Sequence, residues 1–242
     1  MRLIAKLDVK PPFLVKPVHF EGLRKLGRPA DFAKKYSNLG IDEIFYIDIV
    51  ASLYERDILY NEVQDIADII SVPFAVGGGV KNITSFSKLF HVGADKVVLN
   101  TFPLQFDPKI INDAAKVFGS QSVVVNIEAK KINGKYYCLT DCGRILSSKE
   151  VVNWSIEAED RGAGEILLQS VDKDGRMTGY DIDLAAKVVE SVNIPVVIAS
   201  GAGKVDHVKE LIKNVNPSGI AVASLLHYDL YSINEIKKSM NL

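Results

Sequence analysis

Asp8 and Glu128 hold matched places in the two halves of the chain. Asp8 closes the run Leu3-Ile-Ala-Lys-Leu7, and Glu128 closes Val123-Val-Val-Asn-Ile127. Two carboxylates facing each other across a cleft can serve as general acid and general base when their surroundings separate their pKa values. Alternate strand residues point the same way, so Lys6 shares a face with Asp8, and Asn126 with Glu128. The competing reading is a structural ion pair with Lys6, Lys10 or Lys130.

Two glycine clusters are matched in the same way. Val76-Gly-Gly-Gly79 is echoed by Ser200-Gly-Ala-Gly203, and one strand further on come Asn100-Thr101 and Ala223-Ser224. Glycine lets backbone N–H groups approach an anion closely. Gly78, Gly79, Asn100 and Thr101 are therefore candidates for one phosphate site, and Gly201, Gly203, Ala223 and Ser224 for a second. Arg2, Glu43, Lys96 and Glu165 fall near the opposite strand ends. On residue type alone they predict a stabilising ion-pair ring. His19, His91, His207 and His227 share no spacing that would make a metal site or a triad. Cys138 and Cys142 make neither a disulfide framework nor a convincing zinc pair.

The elements that position these residues repeat as well. Matched motifs lie roughly 120 residues apart, which indicates a duplicated half-length unit. Short apolar runs at 2–9, 42–48, 72–77, 95–99, 122–128, 164–169, 194–199 and 218–222 read as strands covered on both faces. Amphipathic segments lie between them. Ser147-x-x-Glu150 predicts a capping box, Asp107-Pro108 an N-cap followed by proline, and Gly40 and Gly162 left-handed helix ends. Eight βα units without a linker predict an α/β fold of the (βα)8 TIM-barrel type. The expected organisation is one domain over 1–242, made of similar half-barrels of about 1–119 and 120–242. Two long connections, 10–28 and 131–147, are repeat-equivalent lid candidates on the C-terminal face, the second carrying an Asn133-Gly134 hairpin signal.

Composition narrows the partners. A 48% hydrophobic, 24% charged chain fits a soluble globular protein with a full core. A net charge of −1 gives no electrostatic reason to expect nucleic acid or an anionic membrane surface. No apolar stretch is long enough to span a bilayer, and the expected location is cytoplasmic.

The motifs together resemble the cyclase subunit of imidazole glycerol phosphate synthase. They are Leu7-Asp-Val-Lys10, Asp48-Ile-Val-Ala-Ser52, Val76-Gly-Gly-Gly79, Gly93-Ala-Asp-Lys96, Phe118-Gly-Ser-Gln121, Gly162 to Leu168, Asp172-Lys-Asp-Gly175 and Gly201-Ala-Gly203. The resemblance implies a glutamine amidotransferase pair: a glutaminase subunit docks at the N-terminal face and ammonia crosses the barrel to a phosphorylated ribotide. It implies that Arg2, Glu43, Lys96 and Glu165 form an ammonia gate, which replaces the purely structural reading of these four. Asp95 would lie near the glutaminase, Asp8 and Glu128 would be the acid and base, and Lys16 and Asp174 would serve the substrate site. No metal or redox cofactor is implied.

Departures cluster where substrate would sit. Lys6 stands where the family usually has Cys, Glu128 where it has Asp, Val50 and Gln169 where it has Thr, and Ser200 where it has Gly. Pro11, Pro12 and Pro17 stiffen the first long connection. An inward ammonium at Lys6 favours the ionised form of Asp8 and makes it a poorer proton donor. Such departures resemble those of paralogues associated with surface-sugar biosynthesis, which supply ammonia to a sugar amidotransferase. Cyclase, ammonia-supplying paralogue and sugar-phosphate isomerase of the related half-barrel family therefore all stay open at this stage.

Overall fold

The structure, a computed structural model, describes residues 1–240. Residues 241 and 242, the last two of the expected second half, lie outside the described residues. The strands are β1 (Arg2–Lys10), β2 (Phe13–Val18), β3 (Glu21–Gly27), β4 (Glu43–Asp48), β5 (Phe74–Gly77), β6 (Lys96–Leu99), β7 (Val123–Ile132), β8 (Lys135–Thr140), β9 (Ile145–Glu150), β10 (Glu165–Ser170), β11 (Val196–Ala199) and β12 (Gly219–Val222). Eight of them, β1, β4, β5, β6, β7, β10, β11 and β12, pair in parallel and in that order. Arg2 to Ala5 then pair with Gly219 to Val222 and close the barrel. This is the (βα)8 architecture expected from the alternating runs.

The apolar runs are continuous because both strand faces are buried. Leu3, Ala5 and Leu7 point outward into a cluster that includes Ile44, Tyr46, Phe74, Val76 and the helix residues Phe86, Ile111 and Trp154. Ile4 points inward, in an inner cluster with Phe45, Ala75, Val98, Val124, Leu167, Val197 and Ala221. Among the described residues, no helix is long and apolar enough to cross a membrane.

Local signals held where a backbone conformation demanded them. Gly40 (φ 82°) and Gly162 (φ 102°) turn left-handed after their helices. Asp107 Oδ1 accepts from Lys109 N at 2.9 Å, so it caps the helix Lys109–Phe118. The capping box did not form. Ser147 and Glu150 stay extended in β9, paired with β8, and Glu150 bonds Lys135 across the hairpin at 2.7 Å. Cross-strand pairing thus outcompetes the local cap.

The two long connections are antiparallel hairpins rather than irregular loops. Asn133 (φ 49°) and Gly134 (φ 81°) make the turn that their types favour. His19 (φ 51°) and Phe20 (φ 61°) adopt the same left-handed pair without that sequence signal. Tertiary contacts hold them: His19 N donates to Asp174 O at 3.1 Å and Phe20 N to Asp174 Oδ2 at 3.3 Å, and Phe20 is buried.

Candidate active site

The C-terminal mouth of the barrel is divided into two unequal lobes. The first is a cavity of about 520 Å³, lined by Glu128, Gly78, Gly79, Asn100, Thr101 and Asp141 among others. The second is about 20 Å³, lined by Lys6, Asp8, Lys16, Asp174, Gly201 and Ser224, with Ser200 and Ala223. Each lobe therefore joins one carboxylate to the small-residue turns of the other half. Three expected positions fall outside the lining. Val50 is buried in the inner apolar cluster. Gln169 is buried and donates to Asn126 Oδ1 at 2.7 Å. Gly203 packs under Met177, whose Cβ would lie 2.4 Å from an added Cβ.

The glycine requirement is strongest at Gly78. Its φ is +115°, and a Cβ there would lie 2.4 Å from Asp48 O. Gly78→Ala should cost about 1–3 kcal/mol for the backbone alone, measured by urea denaturation. An unchanged midpoint would contradict this reading of the turn.

The two carboxylates have opposite surroundings. Burial pushes Glu128 up to about 8, only partly offset by the Gly143 N–H and by Lys6. The Gly143 N–H donates to Glu128 Oε2 at 2.7 Å. Glu128 therefore holds a proton at neutral pH and can give it up. Asp8 lies beside a lysine, since Lys6 Nζ donates to Asp8 Oδ1. Both Lys6 and Asp8 are buried. In this arrangement Glu128 is placed to donate a proton and Asp8 to accept one. Any reaction that draws on the Glu128 proton should slow as pH rises through about 8, where Glu128 ionises. A profile flat across that range would remove Glu128 from the acid role.

The hairpins meet over this mouth. Lys16 Nζ donates to Pro17 O at 3.0 Å and Asp174 Oδ1 at 3.3 Å, so the first hairpin is tied to the turn after β10. Cys142 Sγ approaches Phe20 O at 3.7 Å, tying the second hairpin to the first.

At the other end, Arg2 bonds both Glu43 and Glu165, and Lys96 bonds the same two at 2.7 and 2.8 Å. Four strands thus contribute one closed ring across the barrel floor. Burial raises the pKa of Glu43 despite Lys96 and Arg2. Asp95 is exposed beside the ring, where its Oδ2 accepts from Phe74 N at 2.8 Å.

Several neighbours were not foreseen. Arg56 grips Asp48, which lines the first lobe, at 2.7 and 3.0 Å. Phe102 and Phe106 stack at 5.6 Å on its wall. Asp141 N donates to Thr101 Oγ1 at 3.1 Å, which brings the second hairpin to the first lobe. His227 is buried and its pKa falls to about 4 through desolvation, so it is neutral. Its Nε2 donates to the Lys6 carbonyl at 3.1 Å, which leaves Nδ1 to accept from Tyr36 Oη at 2.8 Å. The contacts of Asp141 with Thr101 and of His227 with Tyr36 and Lys6 join residues far apart in sequence and carry no local signal.

Fold and site together define a (βα)8 barrel with paired carboxylates at its C-terminal rim and a charged ring at its floor. Residues 2–232 match the family described as histidine biosynthesis protein, and the chain belongs to that family. It is 39% identical over 240 residues to imidazole glycerol phosphate synthase subunit HisF of Saccharolobus solfataricus, covering 99% of this chain and 95% of that one. It is 42% identical over 238 residues to the Thermococcus onnurineus subunit, covering 98% and 93%. Against the Legionella pneumophila subunit it is 44% identical over 207 residues, covering 85% and 97%.

Proposed function

We infer that the chain is the cyclase subunit of an imidazole glycerol phosphate synthase, working with a glutaminase. The carrying observation is the pair of unlike carboxylates, protonated Glu128 and ion-paired Asp8, at one mouth above a charged floor. Ammonia enters where Arg2, Glu43, Lys96 and Glu165 meet. The inner apolar cluster of Ile4, Phe45, Ala75, Leu167 and their neighbours favours neutral ammonia, because an unpaired ammonium is costly to bury there. The lobes anchor a phosphorylated ribotide at both ends. Asp8 takes a proton from the attacking nitrogen, and Glu128 gives one to the departing group as the imidazole ring closes.

The glutaminase would dock on the face that carries the ring and Asp95. A cytoplasmic place of action fits such a biosynthetic subunit. The matched hairpins Phe13–Gly27 and Lys135–Glu150 support two half-barrels, about 1–119 and 120–242, derived from one duplicated unit. Mixing the chain with a synthase glutaminase should give a complex and faster glutamine hydrolysis. Absence of a complex at micromolar concentration would count against the reading.

One observation favours a second reading. Lys6 and Lys16 occupy the second lobe and leave about 20 Å³. A subunit that passes ammonia to a separate sugar amidotransferase would need no room there for a ribotide phosphate. Glutaminase stimulation without imidazole formation would select that reading.

A further inference from the structure

We propose that Lys6 is a covalent catalyst whose amine condenses with the carbonyl carbon of a phosphorylated sugar held in the second lobe. The proposal rests on reading that lobe as a phosphate cradle; it does not depend on the ammonia route.

Lys6 is 4% exposed, yet among the described residues Asp8 Oδ1 is the one acceptor that its Nζ reaches. Lys16, in the same lobe, shows the contrast. Its Nζ is committed to Pro17 O and Asp174. Lys6 is also mounted on a barrel strand rather than a hairpin, and His227 fixes its carbonyl from behind. A lysine becomes a nucleophile when it is desolvated or placed beside another cation with a base at hand. Lys6 has burial, Lys16 in the same lobe, and Asp8 as the base. The small backbone turns at Ser200-Gly201 and Ala223-Ser224 line the same lobe and would hold the phosphate. Since the lobe is about 20 Å³, the hairpin bearing Lys16 must lift for a sugar to enter.

The step balances within the site. The Lys6 ammonium passes a proton to Asp8, and the free amine attacks the carbonyl carbon. The N–C bond forms, and the π pair moves to oxygen, which takes a proton from the nitrogen. Asp8 then returns its proton to that hydroxyl, which leaves as water. The products are the Lys6 iminium, one water and ionised Asp8. Where ammonia is supplied, its attack on the iminium forms the new C–N bond and releases Lys6 as the free amine.

The test is reductive trapping on the whole chain with glyceraldehyde 3-phosphate and cyanoborohydride, read by peptide mass spectrometry. Lys6 should be labelled at least about tenfold faster than exposed Lys213. Inorganic phosphate should protect Lys6 and leave Lys213 unchanged, and Asp8→Asn should slow labelling of Lys6 alone. Labelling of Lys6 no faster than Lys213, or indifferent to phosphate, would overturn the proposal without any variant having to fold. Ammonium-dependent turnover without labelling would sink this proposal only. Labelling without such turnover would sink only the ammonia reading.

Discussion

Glu128→Gln should lower ammonium-dependent turnover by about 100- to 10,000-fold, the usual yield of a positioned proton donor. The amide is nearly isosteric and its carbonyl oxygen can still accept from Gly143 N, so the bond that orders the second hairpin survives. What disappears is the proton. Substrate affinity should therefore change little while kcat collapses, a split read by steady-state kinetics. Stability provides a second readout. Glu128 has a folded pKa of about 8 against an ordinary value of 4.5, so the folded chain keeps a proton that the unfolded chain releases. Its contribution is fully present below 4.5 and is lost as pH rises through about 8. The Gln variant should lack that slope in urea unfolding measured across this range. Wild-type kcat in Glu128→Gln would show that the proton comes from elsewhere.

Glu43→Ala should separate the two nitrogen sources. The substitution leaves Arg2 and Lys96 to share Glu165. Breaking a buried ion pair by removing one partner typically costs about 3–5 kcal/mol, so unfolding should shift to lower urea. If the chain stays folded at assay temperature, turnover with added ammonium should persist, because the mouth lies at the far end of the barrel. Glutamine-driven turnover should fall about tenfold or more, a difference of about 1.4 kcal/mol in coupling. Equal losses from both sources would mean that the ring supports the fold and nothing else.

The barrel was legible because parallel strands covered on both faces cannot hide. Val123 to Ile127 and Pro195 to Ala199 are nearly unbroken apolar runs, and their observed ends differ from the expected ones by a few residues at most. Period-two alternation put Lys6 on one face with Asp8 and Asn126 on one face with Glu128, and position near the strand starts put Arg2, Glu43, Lys96 and Glu165 at the opposite end. Alternation fixes direction but not depth. Gln169 is buried and bonded to Asn126, outside the lining of either lobe. Val50 lies past the end of β4, where strand alternation no longer applies. The second hairpin announced itself through Asn133-Gly134. The first did not, because His19 and Phe20 turn only against Asp174, 155 and 154 positions away for the latter's two partners in space and chain. Asp141 at Thr101 was equally silent, since tertiary contact alone brings that pair together.

The most direct measurement supplies the purified chain with the formimino ribotide and an ammonium salt, without any glutaminase. Imidazole glycerol phosphate should form in step with released aminoimidazole carboxamide ribotide, at a rate that follows free ammonia and disappears in Asp8→Asn. No imidazole product at any ammonium concentration, from a folded chain that binds the ribotide, would contradict the account.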